Sequence, residues 1–538
     1  MRSKLLAGSN MSNFMSGGGV RIAAFAAFIL LSLLLTSWAS RRSKGAAGFF
    51  VAGRNLTPMQ NGLAISGDFM SAASFLGVTG LVALFGFDGL VYQVGFIVGW
   101  LMIMLIVAEP VRNCGKYTLS DVVALRLPSA SVRGATAASS LLIALAYLLA
   151  QLVGAGALAS LLLPIGTDAA VILIGVLMIA YVLFGGMVGA TYVQIVKAVL
   201  VWSAAAFLLV LALAHFSFDV GAMFTKAKAS SLHPDHYLIP GAYLKNPLDT
   251  VSLAVALALG TAGLPHVMTR FYTVPSAVDA RHSAKIALVV MTSFAIMVCL
   301  LGFAACAIVG PQSILQSNKA GNSAITLLAV SLGGGVGSFG GEMLLACVSA
   351  IAFATILAVV SGIMISSAST IAHDIFAMLV FRNDAQDKRQ VRVAKIATVT
   401  FGVVAICLAL AVKSLNVAFL VGLAFVIAAS ANLPVILMTL YWRRFTDAGA
   451  VAAVVVGVLS SIGLVLVGPA VIGAHGLVFK TTTPLISLAN PGIISIPCGF
   501  LAGWLVSLIT SQRTSATSFE EQQLRMLSGY GAEEAVEH

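Results

Sequence analysis

Charge is what this sequence has least of. Only 9% of its 538 residues are Asp, Glu, Lys or Arg, against roughly 25% in an ordinary soluble domain. With 59% of residues hydrophobic, that scarcity excludes a soluble enzyme. It also excludes intrinsic disorder, which needs the opposite composition. Cysteine is scarce too. Six occur, at positions 114, 299, 306, 347, 407 and 498, and none forms a CxxC pair, so neither a disulfide framework nor a cysteine metal site is implied. The short alternating apolar segments of a membrane β-barrel are missing. Gly333-Gly334-Gly335-Val336-Gly337 lacks the Lys-Ser/Thr that would make it a phosphate loop. No Ser-His-Asp set shares a membrane depth, so hydrolysis has no support. Neither an enzyme nor a bound cofactor is expected.

What is present is long apolar runs, near the 20 or so residues a helix needs to cross the hydrocarbon core, and a mean hydropathy of +1.02. The fold class read from them is an all-α polytopic membrane protein with about 13 transmembrane helices. The spans are 22–40, 59–86, 90–111, 135–163, 169–184, 188–214, 249–268, 285–309, 341–371, 396–412, 417–440, 449–467 and 492–510. The first lacks a small-residue cleavage site and runs into Arg41-Arg42-Ser43-Lys44. It therefore reads as a retained helix rather than a signal peptide.

The net charge of +11 reflects topology rather than nucleic-acid binding. Of the 30 Lys and Arg residues, 20 fall in alternate loops and 9 in the others, with Lys197 inside a span. Positive charge collects on the cytoplasmic side. The tail 1–21 is thus outside, the tail 511–538 is cytoplasmic, and the lipid bilayer of the cell (inner) membrane is the surrounding medium. No obligate protein partner is evident.

Two spans are interrupted. The second contains Ile65-Ser66-Gly67-Asp68-Phe69-Met70-Ser71, with a helix-weakening glycine beside a carboxylate about a third of the way in. A buried ionisable group in a membrane is by default functional. The seventh ends Leu259-Gly260-Thr261-Ala262-Gly263-Leu264-Pro265-His266, where two glycines and a proline break the helix. A broken helix survives in lipid only where it lines a cavity. The second span opens one set of five helices (59–214) and the seventh opens the next five (249–440). Five is odd, so the second set is inverted, and two peripheral helices follow over 449–510. Paired breaks in inverted halves point to a transporter site near the midplane, where N-terminal helix ends favour an anion and freed carbonyls a cation. Further polar residues inside spans are Thr355, Ser361, Ser366, Ser367, Ser369 and Thr370 in the ninth, and Lys197 in the sixth. Lys197 either snorkels to the inner face or pairs with Asp68 or a substrate carboxylate.

The same residues carry a family resemblance. Ala64 to Gly77 (AISGDFMSAASFLG) resembles the second helix of the sodium:solute symporter family. So do Gly185-Gly186-Met187, Phe50-Val51-Ala52-Gly53-Arg54 and Gly263-Leu264-Pro265-His266 with Arg270-Phe271 after it. Leu264 to Val274 (LPHVMTRFYTV) is most similar to the cation/acetate symporters of that family. The resemblance covers roughly residues 45–445. It implies the leucine-transporter fold, with one helix before the ten-helix core and two after it.

For Na⁺, the resemblance implies a site between the second and ninth spans. Its ligands would be carbonyls at Gly67 and Met70, a carbonyl at Thr355, and hydroxyls at the next two matching positions. Those last two are Ala358 and Val359, which carry no hydroxyl. Gln194 stands where relatives often have Asp. Hard cations want oxygen ligands, so a proton carried by Asp68 is the alternative to Na⁺. The substrate carboxylate is expected on the unwound backbones around Ser66, Asp68, Phe69 and Ser71 and around Thr261 and Gly263. The resulting expectation is a secondary active symporter that imports acetate or a related short-chain monocarboxylate with Na⁺ or H⁺. The rivals are a transporter of the same fold for an amino acid, pyruvate or glycolate, a passive channel, and, most remotely, a transporter-like sensor.

Overall fold

The structure is a computed structural model, and it describes residues 45–71, 73–162, 166–381, 387–412, 417–469, 471–472, 483–511 and 518–531. The predicted tail 1–21, the first span 22–40, and residues 512–517 and 532–538 of the tail 511–538 lie outside the described residues. Among the described residues the chain is helical and has no strand.

The long helices are α1 (Pro58–Phe69), α2 (Ala73–Phe85), α3 (Phe87–Cys114), α4 (Ala130–Leu162), α5 (Thr167–His215), α6 (Pro247–Thr261), α7 (Pro265–Phe271), α8 (Ala277–Ile308), α9 (Phe339–Val380), α10 (Lys388–Ala411), α11 (Leu420–Tyr441), α12 (Asp447–Val467) and α13 (Gly492–Ile509). Among the described residues ten segments are long and apolar enough to cross a membrane, α6 and α7 counting together. The bent pair α1–α2 makes an eleventh. α5 joins the predicted fifth and sixth spans. Gly186 interrupts it at φ 52° and ψ −166°, a conformation that L-residues with a side chain avoid; the span Gly186–His215 begins there, and Asp168–Ala180 before it is a shorter apolar helix.

Burial sorts the helices. The most apolar window of α9 is 72% buried and that of α11 is 89% buried, whereas those of α10, α12 and α13 are each 33% buried. α9 and α11 are therefore central, and α12 and α13 pack on each other at the rim. α1 lies against α5 and α8, and α9 lies against α4 and α5.

Both expected breaks are present. The first falls within the stretch 66–71 expected to unwind, but only at its end: Gly67 stays helical, α1 ends at Phe69, and Met70 leaves the helix at ψ 72°. α2 then departs at 57° to α1. The Ser74 hydroxyl replaces the lost ladder. It accepts from the Ser71 amide at 2.9 Å and donates to the Ser71 and Phe69 carbonyls at 3.0 and 3.3 Å. This is the local satisfaction that a non-helical segment needs in lipid. Gly67 serves packing instead. A Cβ there would stand 2.4 Å from the Gln194 carbonyl oxygen of α5.

The second break matches the sequence. α6 ends at Thr261, the Gly263 amide donates to the Gly260 carbonyl at 2.9 Å, and Pro265 opens α7 at a position where its missing N–H costs nothing. The freed Gly263 carbonyl accepts from Asn432 Nδ2 at 3.0 Å. The seventh span also runs further than predicted. Arg270, counted from sequence as an inner-loop charge, lies within α7 and is 1% exposed.

A methyl at Gly67 must displace backbone, while one at Gly77 meets nothing within 4 Å. Overpacking of a close contact costs about 1–3 kcal/mol. Gly67→Ala should lower the thermal midpoint of the purified protein by several degrees, with Gly77→Ala unchanged or slightly higher. Fluorescence-detected size exclusion after heating reads both.

Candidate functional site

Where α1 stops, three helices bring charge together. Asp68 is one residue from the end of α1 and is 5% exposed. Its two carboxylate oxygens accept from Arg270 Nε of α7 and from Gln194 Nε2 of α5. Thr191, Gln194 and Lys197 recur every three residues along α5, so they share one face. Arg270 Nη1 donates to Thr191 Oγ1 at 2.9 Å. Lys197 Nζ donates to the Gly67 carbonyl and lies 3.4 Å from Gln194 Oε1. Lys197 is 1% exposed, so the snorkelling reading fails; of the pairing reading, its hydrogen bonds go to the Gly67 carbonyl and Gln194, while the ion pair of Asp68 is with Arg270. In formal charge the cluster is two cations against one carboxylate, each inside a different span.

Beside this cluster is a narrow cavity. Asp68, His266 and Arg270 form its polar wall, and Ile65, Phe69, Trp100 and Val267 its apolar wall. The Phe69 ring meets Trp100 and Phe96 edge-on, at centroid distances of 5.9 and 4.9 Å. Three nitrogens of lining side chains, Trp100 Nε1, His266 Nδ1 and Arg270 Nη2, are buried and have no hydrogen-bond partner among the described residues. Buried polar groups are nearly always paired, so three unpaired nitrogens on residues that line one cavity make it a candidate place for a polar ligand.

The predicted site residues divide. Asp68 and Phe69 line this cavity. The Ser66 hydroxyl bonds back to Gly62 at 2.8 Å, and Thr261 Oγ1 bonds back to Leu257 at 2.7 Å. The Ser71 amide is engaged by Ser74, and the Gly263 carbonyl by Asn432. The predicted cation positions are also engaged. Gly67 O takes Lys197. Ala358 O takes Gln194 Nε2 at 2.6 Å and Ser361 Oγ at 2.6 Å. Thr355 Oγ1 bonds back to Ile351 at 2.7 Å. Val359 is apolar and 1% exposed, and Met70 is fully buried.

A second polar cluster joins the segment between α3 and α4 to the end of α9. Arg133 Nη1 bridges Asp121 at 3.0 Å and Asp374 at 2.9 Å. His373 Nε2 lies 3.0 Å from Asp121, and Thr118 donates to Asp374 at 2.8 Å. Burial pushes the Asp121 carboxyl up, but His373, Arg133 and the Tyr117 amide together outweigh it and hold it well below the usual carboxylate range. With a guanidinium already between the carboxylates, the cluster reads as a structural tie between helices rather than a metal site.

A model of the Sodium:solute symporter family matches residues 49–457. The chain belongs to the sodium:solute symporter family. It is 46% identical to YwcA of Bacillus subtilis, an uncharacterized symporter, over 95% of this chain and 98% of that one. It is 41% identical to a monocarboxylic acid transporter of Corynebacterium glutamicum, over 99% of each. Among solved structures it is similar to a Na⁺-coupled sialic acid symporter in its substrate-bound outward-open state, with a TM-score of 0.70, 14% identity, and coverage of 92% and 98%. The fold of this family member is accordingly the leucine-transporter type.

Five residues of this symporter's cavity, Ile65, Trp100, His266, Val267 and Arg270, were absent from the sequence-based site. Two signals pointed to Arg270. Asp68 needed a buried partner, and Pro265 restarts a helix whose next turn carries Arg270 inward. Trp100 gave no such signal.

Removing one partner of a buried ion pair costs about 3–5 kcal/mol because the other charge is stranded. Asp68→Asn and Arg270→Gln should each lower the melting temperature strongly. The double variant should recover much of the loss. Additive losses in this thermal cycle would mean that the two groups are not coupled.

Proposed function

We propose that this symporter imports acetate or a related short-chain monocarboxylate together with a cation, Na⁺ or H⁺, by alternating access. The observation that carries the reading is the cavity, where three unpaired buried nitrogens meet a cluster holding one more cation than anion. A carboxylate supplies what both lack, acceptor oxygens and one negative charge. A charge-assisted bond from Arg270 Nη2, the one nitrogen of its guanidinium without a partner among the described residues, suits a carboxylate oxygen. The apolar wall of Ile65, Phe69, Trp100 and Val267 suits a short alkyl end and leaves no partner for a polar tail.

Arg270 would then be shared between Asp68 and the substrate, with Nε on the first and Nη2 turned to the second. The Corynebacterium relative's description as a monocarboxylic acid transporter agrees with this. A coupled cation follows from physics, since the membrane potential opposes entry of an anion at about 2.3 kcal/mol per charge per 100 mV. The family description and the Na⁺-coupled sialic acid symporter favour Na⁺. The missing hydroxyls at Ala358 and Val359 favour H⁺. The two inverted repeats over 59–214 and 249–440, and an outside N-terminus, complete the proposed arrangement in a cell (inner) membrane.

Uptake of labelled acetate into proteoliposomes should be competed by propionate and far less by proline or glucose. Arg270→Gln should abolish it while the protein remains in the membrane. Proline uptake at an equal or higher rate, or full acetate uptake by Arg270→Gln, would sink the assignment.

A further inference from the structure

The Na⁺ positions implied by the family resemblance can be tested against this chain's own atoms, and they do not fit. A Na⁺ site needs several oxygens free to turn towards the ion. Here the Gly67 carbonyl, one of the implied ligands, accepts from Lys197 Nζ instead. The two positions expected to bring hydroxyls are Ala358 and Val359. On the α5 side, where an acidic residue would add negative charge, Gln194 instead turns its amide nitrogen towards Asp68 and its oxygen towards Lys197.

The departures account for one another. A lysine ammonium is a compact unit charge with three donors. Placed on the Gly67 carbonyl, it supplies the charge that a bound ion would otherwise bring. It needs no hydroxyl pair on α9, and it would repel a second cation at contact distance. Lys197 is 1% exposed, so water cannot screen that repulsion. A carboxamide at 194 tolerates the ammonium through Oε1 while still feeding a donor to Asp68, which a carboxylate could not do.

We propose that Lys197 is a tethered cation standing in the position where sodium-coupled relatives would bind Na⁺, so that this chain carries its substrate without Na⁺. The proposal rests on the monocarboxylate reading only for its transport readout.

Two measurements on the full-length protein test it. The first is equilibrium binding of ²²Na⁺ to purified protein. Wild type should show no saturable binding. Lys197→Ala/Val359→Ser, with the ammonium removed and one hydroxyl restored, should gain saturable binding competed by Li⁺. The second is counterflow of labelled acetate in proteoliposomes with choline replacing Na⁺. Wild type should exchange as fast as in Na⁺, and Lys197→Met, similar in length but uncharged, should lose exchange.

Saturable ²²Na⁺ binding by wild type, or Na⁺-dependent counterflow, overturns the proposal. So does undiminished exchange by Lys197→Met in choline, or no gain of binding by a monodisperse double variant. If the double variant does not fold, wild type and Lys197→Met still decide. If wild type exchanges no acetate in any salt, the monocarboxylate reading fails and the ²²Na⁺ binding decides the tethered cation separately.

Discussion

Asp68 has to be neutralised in the middle of a membrane protein, and the local structure follows from how that is done. An ionised carboxylate at this depth costs several kcal/mol unless it is paired. Its partner, Arg270, lies 202 residues away on a different helix. For the two to meet, α1 must end just past Asp68 and α7 must begin far enough in to reach back to it. Both helices are therefore broken, and both breaks need local repair. Ser74 repairs the first and Asn432 the second. Gly67 has no side chain because α5 must come close enough to bring Gln194 and Lys197 to the same place.

The pairing leaves an imbalance. Arg270 answers Asp68, and Lys197 is one cation beyond that. A buried site with surplus positive charge and unpaired nitrogens is poorly satisfied without an anion, and a binding site gains affinity from that state. The same surplus makes a further cation at contact distance unfavourable. One arrangement of three charges thus bears on both the substrate's sign and the coupling ion.

Much of the fold was legible in the sequence because hydrocarbon imposes length and composition on every span. The run lengths gave the helices, and Gly260, Gly263 and Pro265 marked the second break correctly. The first break falls inside the expected stretch 66–71, at Met70–Ser71, but not at the glycine that drew attention to it. Glycine signals a weak helix but not which physical use is made of that weakness, and at Gly67 the use is close packing. Asp68 stood out at once, being a carboxylate in an apolar run. Its partner did not, because Arg270 follows a proline near the end of a span and read as a loop charge under the positive-inside rule. Ser66 and Thr261 were expected to serve through unwound backbone, and Thr355 through a carbonyl implied by the family resemblance; their hydroxyls add no ligand. In the structure each bonds back one turn along its own helix, the default for such residues in apolar surroundings.

The central claim is that the substrate carboxylate lies against Arg270. Solid-state NMR of lipid-reconstituted protein can measure it, using [1-¹³C]acetate and ¹⁵N-labelled arginine side chains. The account predicts a ¹³C–¹⁵N dipolar coupling that corresponds to direct guanidinium–carboxylate contact and disappears in Arg270→Lys. A coupling that persists unchanged in that variant, or bound acetate with no coupling to any arginine, would contradict it.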